Sequence, residues 1–203
     1  MMNTPVVAER AVPRRIVPLK IVVAGGFGVG KTTLVGAISE IVPLTTEAAM
    51  TSVGMGVDDR GEVITKTTTT VAMDFGRITV SDELVLYLFG TPGQDRFGFM
   101  WDELVTGALG AVVLIDSRRI ADSFAALDYF EHRSIPFVVA LNCFDGQLHH
   151  DLAEIREALG LRLEVPIVAI DARNRVHVKH LLIAALEVSR QEAINRRAAR
   201  AAQ

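Results

Sequence analysis

The segment Gly25-Gly26-Phe27-Gly28-Val29-Gly30-Lys31-Thr32 carries a chemistry in its spacing. Its glycines let the backbone curl so that several N–H groups converge on phosphate oxygens. The pattern G-x-x-x-x-G-K-[ST] adds an ammonium that can meet β- and γ-phosphates, and a hydroxyl that can ligate Mg²⁺. A helix starting near Lys31 aims the positive end of its dipole at the same anion. The phosphate-binding candidates are therefore Gly25, Gly28, Val29, Gly30, Lys31, Thr32 and Thr33, and Thr32 is a candidate metal ligand. The plain alternative is a glycine-rich turn that matches by chance. The motif does not choose between adenine and guanine.

The elements around the motif favour the phosphate reading. Ile16 to Ala24 is apolar and β-branched, a buried strand, and Lys31 to Ile41 has helical spacing with Leu34, Ile38 and Ile41 on one face. Pro43 to Lys66 has no period and scatters Gly54, Gly56 and Gly61 among Asp58, Asp59 and Glu62. Loops of that length inside a compact domain are functional or mobile. Val71 to Val80 and Leu84 to Phe89 predict a hairpin turning at Ser81-Asp82-Glu83. Further strands are expected at Ala111–Ile115, Phe137–Leu141 and Ile167–Ile170. Helices are expected at Met100–Thr106, Ile120–Glu131, Leu152–Leu159 and Val178–Arg197. Strands alternating with helices predict an α/β fold, a mainly parallel sheet covered on both faces. The domain is expected over 16–197, after a mobile arm 1–15 and before a tail 198–203.

Composition narrows the function classes. The chain has 203 residues, 50% hydrophobic, with 21 basic against 24 acidic side chains and a net charge of -3. That balance leaves no electrostatic footprint for nucleic acid. Cys143 has no partner for a disulfide. No signal peptide, transmembrane helix or lipid anchor is expected from the sequence given. The expectation is a cytoplasmic protein that meets a membrane only through partners.

More segments have a site's chemistry. Asn142-Cys143-Phe144-Asp145 follows a predicted strand. The Asp145 carboxylate can accept from guanine N1–H and its exocyclic amine, whereas adenine would leave a buried carboxylate unpaired. Gly90-Thr91-Pro92-Gly93-Gln94-Asp95 closes another strand, and Thr70-Val71-Ala72-Met73-Asp74-Phe75 opens the predicted hairpin. Thr67, Thr68 and Thr69 stand beside Thr70, and a run of threonines also has plain β-propensity.

Together these segments, from about Lys20 to Leu182, resemble Ras-like GTPases. Asn142 and Asp145 match the N-K-x-D guanine motif, Asp171-Ala172-Arg173 the S-A-K loop, and Gly93-Gln94 the D-x-x-G-Q segment. The resemblance implies that the Ala172 N–H meets guanine O6, that the Gly93 amide senses the γ-phosphate, that Gln94 orients attacking water and that Thr70 closes over Mg²⁺. The candidate catalytic residues are thus Gln94, Lys31 and Thr70. The chain departs from the family at Cys143, where Lys is usual, and at Gly90, where an Asp usually holds Mg²⁺ through water. The G-T-P-G-Q form is similar to MglA-type polarity GTPases, and closer to the small GTPases of actinobacterial conservon operons. That resemblance implies a three-layer fold with a six-stranded, mostly parallel sheet and one antiparallel strand. GTP/GDP and Mg²⁺ would be the cofactors. A roadblock/LC7-type regulator and a sensor-kinase-like protein would be the partners.

Hairpin geometry suggests a stand-in for the missing Asp. Around a turn near Asp82 the paired positions sum to about 164 or 165, so Asp74 falls opposite or next to opposite Gly90. Its carboxylate can then reach over the side-chain-free glycine, making Asp74 a metal candidate beside Thr32 and Thr70. A solvated Asp on an exposed strand face is the alternative. Phe97, Phe99, Met100 and Trp101 could form a docking surface or belong to the core. His149 and His150 are adjacent and make a poor metal pair. Arg60, Lys66 and Arg96 could serve as fingers in cis, but loop charges are usually solvated. The leading expectation is a slow GTP-hydrolysing switch, and the second is a nucleotide-binding scaffold. An ATP-using enzyme would need a substrate domain, for which the chain leaves no room.

Overall fold

The last residues of β1 (Val17–Ala24), Ile21 to Ala24, have no exposed surface. Only a central strand covered on both faces buries consecutive side chains. The structure, a computed structural model, describes residues 16–42, 44–52, 67–93 and 100–202. After β1 come α1 (Lys31–Ile38), β2 (Leu44–Ser52), β3 (Thr67–Ser81), β4 (Leu84–Gly90) and α2 (Trp101–Val105). Then follow β5 (Gly110–Ile115), α3 (Phe124–His132), β6 (Phe137–Asn142), α4 (Leu152–Ala158), β7 (Ile167–Ile170) and α5 (Arg175–Ala201).

The strands form one sheet in the order β2-β3-β4-β1-β5-β6-β7. β1 pairs in parallel with β4 and β5, and the parallel ladder continues through β6 and β7. β3 runs antiparallel to both β2 and β4 and is the single reversed strand. The three-layer architecture is the expected one, and among the described residues the sheet has seven strands, one more than the six expected. The additional strand, β2, lies inside the stretch expected to be a loop. It sits at the sheet edge, paired on one side, so its sequence Leu-Thr-Thr-Glu-Ala-Ala-Met-Thr-Ser needs no apolar alternation.

Side chains alternate across β1. Ile21 and Val23 pack with Leu34, Ile38, Val178 and Leu181 under α1 and α5. Val22 and Ala24 pack with Trp101, Leu127, Phe130 and Ile155 under α2, α3 and α4. Trp101 is therefore core, its ring 5.1 Å from Tyr129 and 6.3 Å from Phe130, and not part of a docking surface. Phe97 and Phe99 lie outside the described residues. α1 stops at Ile38, short of Ile41, because Ser39 turns extended (φ -60, ψ 140). The helix expected over 120–131 begins only at Phe124; residues 120–123 belong to a 3₁₀ stretch, Ser117–Ser123, broken at Arg119 (φ -140, ψ 53). α5 begins at an Asn174 cap and runs to Ala201, into the segment expected to be a tail. A Cβ on Gly76 would stand 2.7 Å from Val35 Cγ1. That contact lays α1 directly on β3, which the site requires.

Phe130 has no exposed surface and lies 6.1 Å from the Phe137 ring. Phe130→Ala should cost about 3–5 kcal/mol of unfolding free energy. Urea denaturation measures this, and a cost under about 1 kcal/mol would show that the α3 face is not the packed core described.

Candidate nucleotide site

The sheet order reverses at β1, whose neighbours are β4 and β5. In open α/β sheets such a switch point, at the carboxyl ends of the strands, is where ligands bind. Every site segment leaves that edge: Gly25 after β1, Gly90 at the end of β4, Asp116 after β5, Asn142 at the end of β6 and Asp171 after β7.

Residues 25–30 curl as expected, with Gly28 at φ 72 and Gly30 at φ 107. L side chains rarely adopt these values. The carbonyls of the loop are held by side chains. Lys31 Nζ donates to Gly25 O and Gly26 O at 2.8 Å each. Arg119 Nη2 donates to Phe27 O at 2.6 Å, and Asn142 Nδ2 to Val29 O at 2.9 Å. Among the described residues, no protein acceptor takes the N–H of Gly28, Gly30, Lys31 or Thr32. A planar trans peptide points its N–H opposite its carbonyl, so a held Phe27 or Val29 carbonyl fixes the direction of the Gly28 or Gly30 amide. Lys31 is buried, and that burial pulls its ammonium down to about 8, with Asp74 acting in the opposite sense. A Cβ on Gly93 would stand 2.7 Å from Lys31 Nζ and 2.9 Å from Phe27 Cα. Gly93 is thus pressed against the phosphate loop.

Asp74 stands directly opposite Gly90 in the β3–β4 ladder. A Cβ on Gly90 would stand 3.0 Å from both Asp74 Cβ and Asp74 Oδ2. Asp74 is buried and accepts a hydrogen bond from Thr32 Oγ1 at 2.8 Å. The hydroxyl and the carboxylate are hard oxygen donors side by side, a set that fits Mg²⁺. The exposed-face alternative for Asp74 is therefore excluded. Thr70 is not brought to this pair. It is a rung of β3 opposite Ala49, roughly 13 Å along the strand from Asp74 at about 3.3 Å per residue. Thr67 to Thr70 all pair with β2 in that ladder.

The base end departs from expectation in one respect. The Ala172 N–H donates to Asn142 Oδ1 at 3.0 Å instead of being left to a base. Asn142 is a tie, joining Ala172 to the phosphate loop through Val29. A cavity of about 200 Å³ opens beside it, lined by Gly28, Gly30, Thr33, Asn142, Phe144 and Asp171 among others. The Asp171 carboxyl is held down to about 2 by the Arg173 guanidinium that forks onto it. Cys143 is half-buried, and its thiol is pushed up by burial and then by Asp171. Asp145 lies in the 3₁₀ turn Phe144–Gly146. Gln94, Arg60, Lys66 and Arg96 lie outside the described residues.

Sequence reasoning missed Asp116 and its arginines. Asp116 is buried, receives a forked pair from Arg118 at 2.9 Å on each oxygen, and stands 3.9 Å from Arg119. Arg118 lies 4.1 Å over the Phe144 ring. The available signal was its place, directly after the buried strand Gly110–Ile115 at the ligand edge of the sheet. His150 leans to Glu154 at 3.8 Å, and among the described residues no group of three or more His, Cys, Asp or Glu side chains could hold a metal ion.

A protein-family model described as "conserved hypothetical ATP binding protein" matches residues 23–192. The chain belongs to this family. An uncharacterised protein of Methanocaldococcus jannaschii is 31% identical over 129 residues, 63% of this chain and 71% of the relative. Human Ras-related protein Rab-7b is 25% identical over 195 residues, 90% of this chain and 88% of its own. The FeoB G-domain of Methanococcus jannaschii superposes with a TM-score of 0.56 at 14% identity, covering 85% of this chain and 98% of that one. The FeoB G domain of T. maritima gives 0.56 at 20% identity, covering 85% and 99%. The family member thus carries a P-loop sequence on the fold of the FeoB G domains. No helix among its described residues is long and apolar enough to cross a membrane.

The Lys31 value of about 8 gives a pH prediction with a definite sign. Phosphate binding needs the charged ammonium, so above about 8 binding must take up a proton. Nucleotide affinity should fall as pH rises from 7 to 9, with a slope approaching about tenfold per unit. Calorimetry at pH 8.5 in buffers of different ionisation heat should show proton uptake; a flat affinity and no uptake would contradict the buried, depressed lysine.

Proposed function

We propose that this protein is a GTP-binding switch that hydrolyses GTP slowly, of the MglA-like type found in conservon operons. The observation that carries the reading is the Thr32–Asp74 hydrogen bond across the bare Gly90. It supports a relocated carboxylate at the position the family needs for its metal. Thr32 and Asp74 would hold Mg²⁺, Asp74 through a bound water. When bound, the ion supplies neutralisation of the β/γ-phosphate charge. Lys31 adds a full positive charge at the same oxygens. Gln94, following Gly93, orients a water for attack on the γ-phosphorus. The bond to the β–γ bridging oxygen breaks, giving GDP and inorganic phosphate. Gly93, whose closeness to Lys31 and Phe27 supports the reading, would report whether the γ-phosphate is there.

Guanine rather than adenine is supported by the sequence pattern Asn142-Cys143-Phe144-Asp145 at the end of β6, although the family's description names ATP. A roadblock/LC7-type regulator and a sensor-kinase-like protein are the proposed partners. Membrane contact would come through them.

GTP and ATP competition, with phosphate release followed in the same Mg²⁺-containing samples, tests the reading. GTP preference with slow release is expected. GTP preference without release would make the protein a scaffold, and equal or better ATP binding would overturn the guanine assignment. A ladder swap tests the metal site. Asp74→Ala should weaken Mg²⁺-dependent nucleotide retention about tenfold or more. Gly90→Asp alone should also be impaired, because its Cβ would crowd Asp74 at 3.0 Å. The double variant Asp74→Gly with Gly90→Asp, which also removes the Cβ at 3.0 Å, should recover much of the retention. No recovery, or an inert Asp74→Ala, would reject the relocated carboxylate.

A further inference from the structure

We propose that Arg119 is a positioning residue for the phosphate loop, held from behind by Asp116 and Asp122, and that it aims the Gly28 amide at the phosphate chain. The proposal rests on the nucleotide-binding reading above and does not depend on which base is bound.

The guanidinium reaches the loop from a separate strand end. Its Nη2 donates to Phe27 O at 2.6 Å, and Nη2 would stand 3.6 Å from a Cβ on Gly28. Behind it, Nε lies 3.9 Å from Asp116 Oδ2 and Nη1 lies 3.6 Å from Asp122 Oδ2. Its backbone is the break in the Ser117–Ser123 turn, at φ -140 and ψ 53. That break lets a residue within a helical run project toward the loop. Asp122 is itself against the loop, since a Cβ on Gly26 would stand 2.7 Å from Asp122 Cβ.

The consequence follows from peptide geometry. The Phe27 carbonyl and the Gly28 N–H belong to one planar trans unit and point opposite ways. Fixing the carbonyl on the Arg119 side fixes the Gly28 N–H on the other side. Gly28 sits at φ 72, where glycine can flip its flanking peptides at little cost. Without a clamp that peptide has no other partner to hold it among the described residues. The cation also lies close to an anion site, and the carboxylates behind it keep it on the carbonyl.

The test compares the full-length wild type with Arg119→Ala and Arg119→Lys. The probes are GDP and ADP, read by fluorescence titration, alongside the melting temperature of the nucleotide-free protein. If the wild type binds neither nucleotide, the nucleotide-binding reading fails before the clamp is reached. For whichever nucleotide the wild type binds, Arg119→Ala should weaken affinity about tenfold or more, the scale of a charge-assisted hydrogen bond. The melting temperature of the nucleotide-free protein should stay unchanged, because the Arg119 side chain is 47% exposed. Arg119→Lys, which can still donate to the carbonyl, should recover part of the loss. Wild-type affinity in Arg119→Ala would overturn the clamp. So would a loss matched by an equal fall in nucleotide-free stability, or a lysine variant no better than alanine.

Discussion

A loop that offers its amides to an anion must have its carbonyls held by something else, and the rest of this site is arranged to do so. A curl of glycines has no intrinsic preference for one peptide orientation over its reverse. Here Lys31 takes the carbonyls of Gly25 and Gly26, Arg119 that of Phe27 and Asn142 that of Val29. These side chains come from α1, from the turn after β5 and from the end of β6. The parallel ladder that brings β1, β5 and β6 side by side is therefore what makes the curl a phosphate site.

The second constraint is register. A carboxylate stands next to Thr32, and this chain supplies it from β3 and not from the end of β4. The exchange works because the β3–β4 ladder sets Asp74 opposite Gly90 and because a glycine leaves the space. A slip of one residue would turn Asp74 to the other face of the sheet. The packing of α1 on Gly76 completes the geometry, since it fixes the height of Thr32 above the strand.

How much of this was legible in the sequence follows from how local each feature is. The phosphate loop is contiguous, so its residues named themselves. Asp74 over Gly90 could be counted out because a tight turn fixes pairing over the next few rungs. β2 could not be seen, because an edge strand paired on one side carries no apolar alternation to detect. Thr70 was proposed for the site by a motif, and the backbone of the threonine run pairs with β2 along the ladder. The Asn142–Ala172 bond and the Arg119–Phe27 bond join residues distant in sequence, and only the strand order brings them together.

The same logic accounts for the chain's departure at position 143. A lysine there would lie along the base and brace the phosphate loop in the Ras-like pattern. Cys143 is too short for either task, and its half-buried thiol, pushed toward the neutral form, carries no charge to offer. Both tasks have partners elsewhere in this structure. Bracing of the loop is shared by Asn142 and Arg119. A cationic plane next to the base loop is provided by Arg118 over Phe144, anchored on the same buried Asp116 that backs Arg119. Asp116 is thus one buried charge beneath both ends of the site. A buried carboxylate is costly unless it is paired, and the Arg118 fork holds its carboxyl below the ordinary range despite burial. Losing that carboxylate would remove the fork from the guanidinium over Phe144 and leave the one on Phe27 backed by Asp122 alone, so Asp116 couples the Asn142–Phe144 side of the site to the phosphate loop without being the sole support of either.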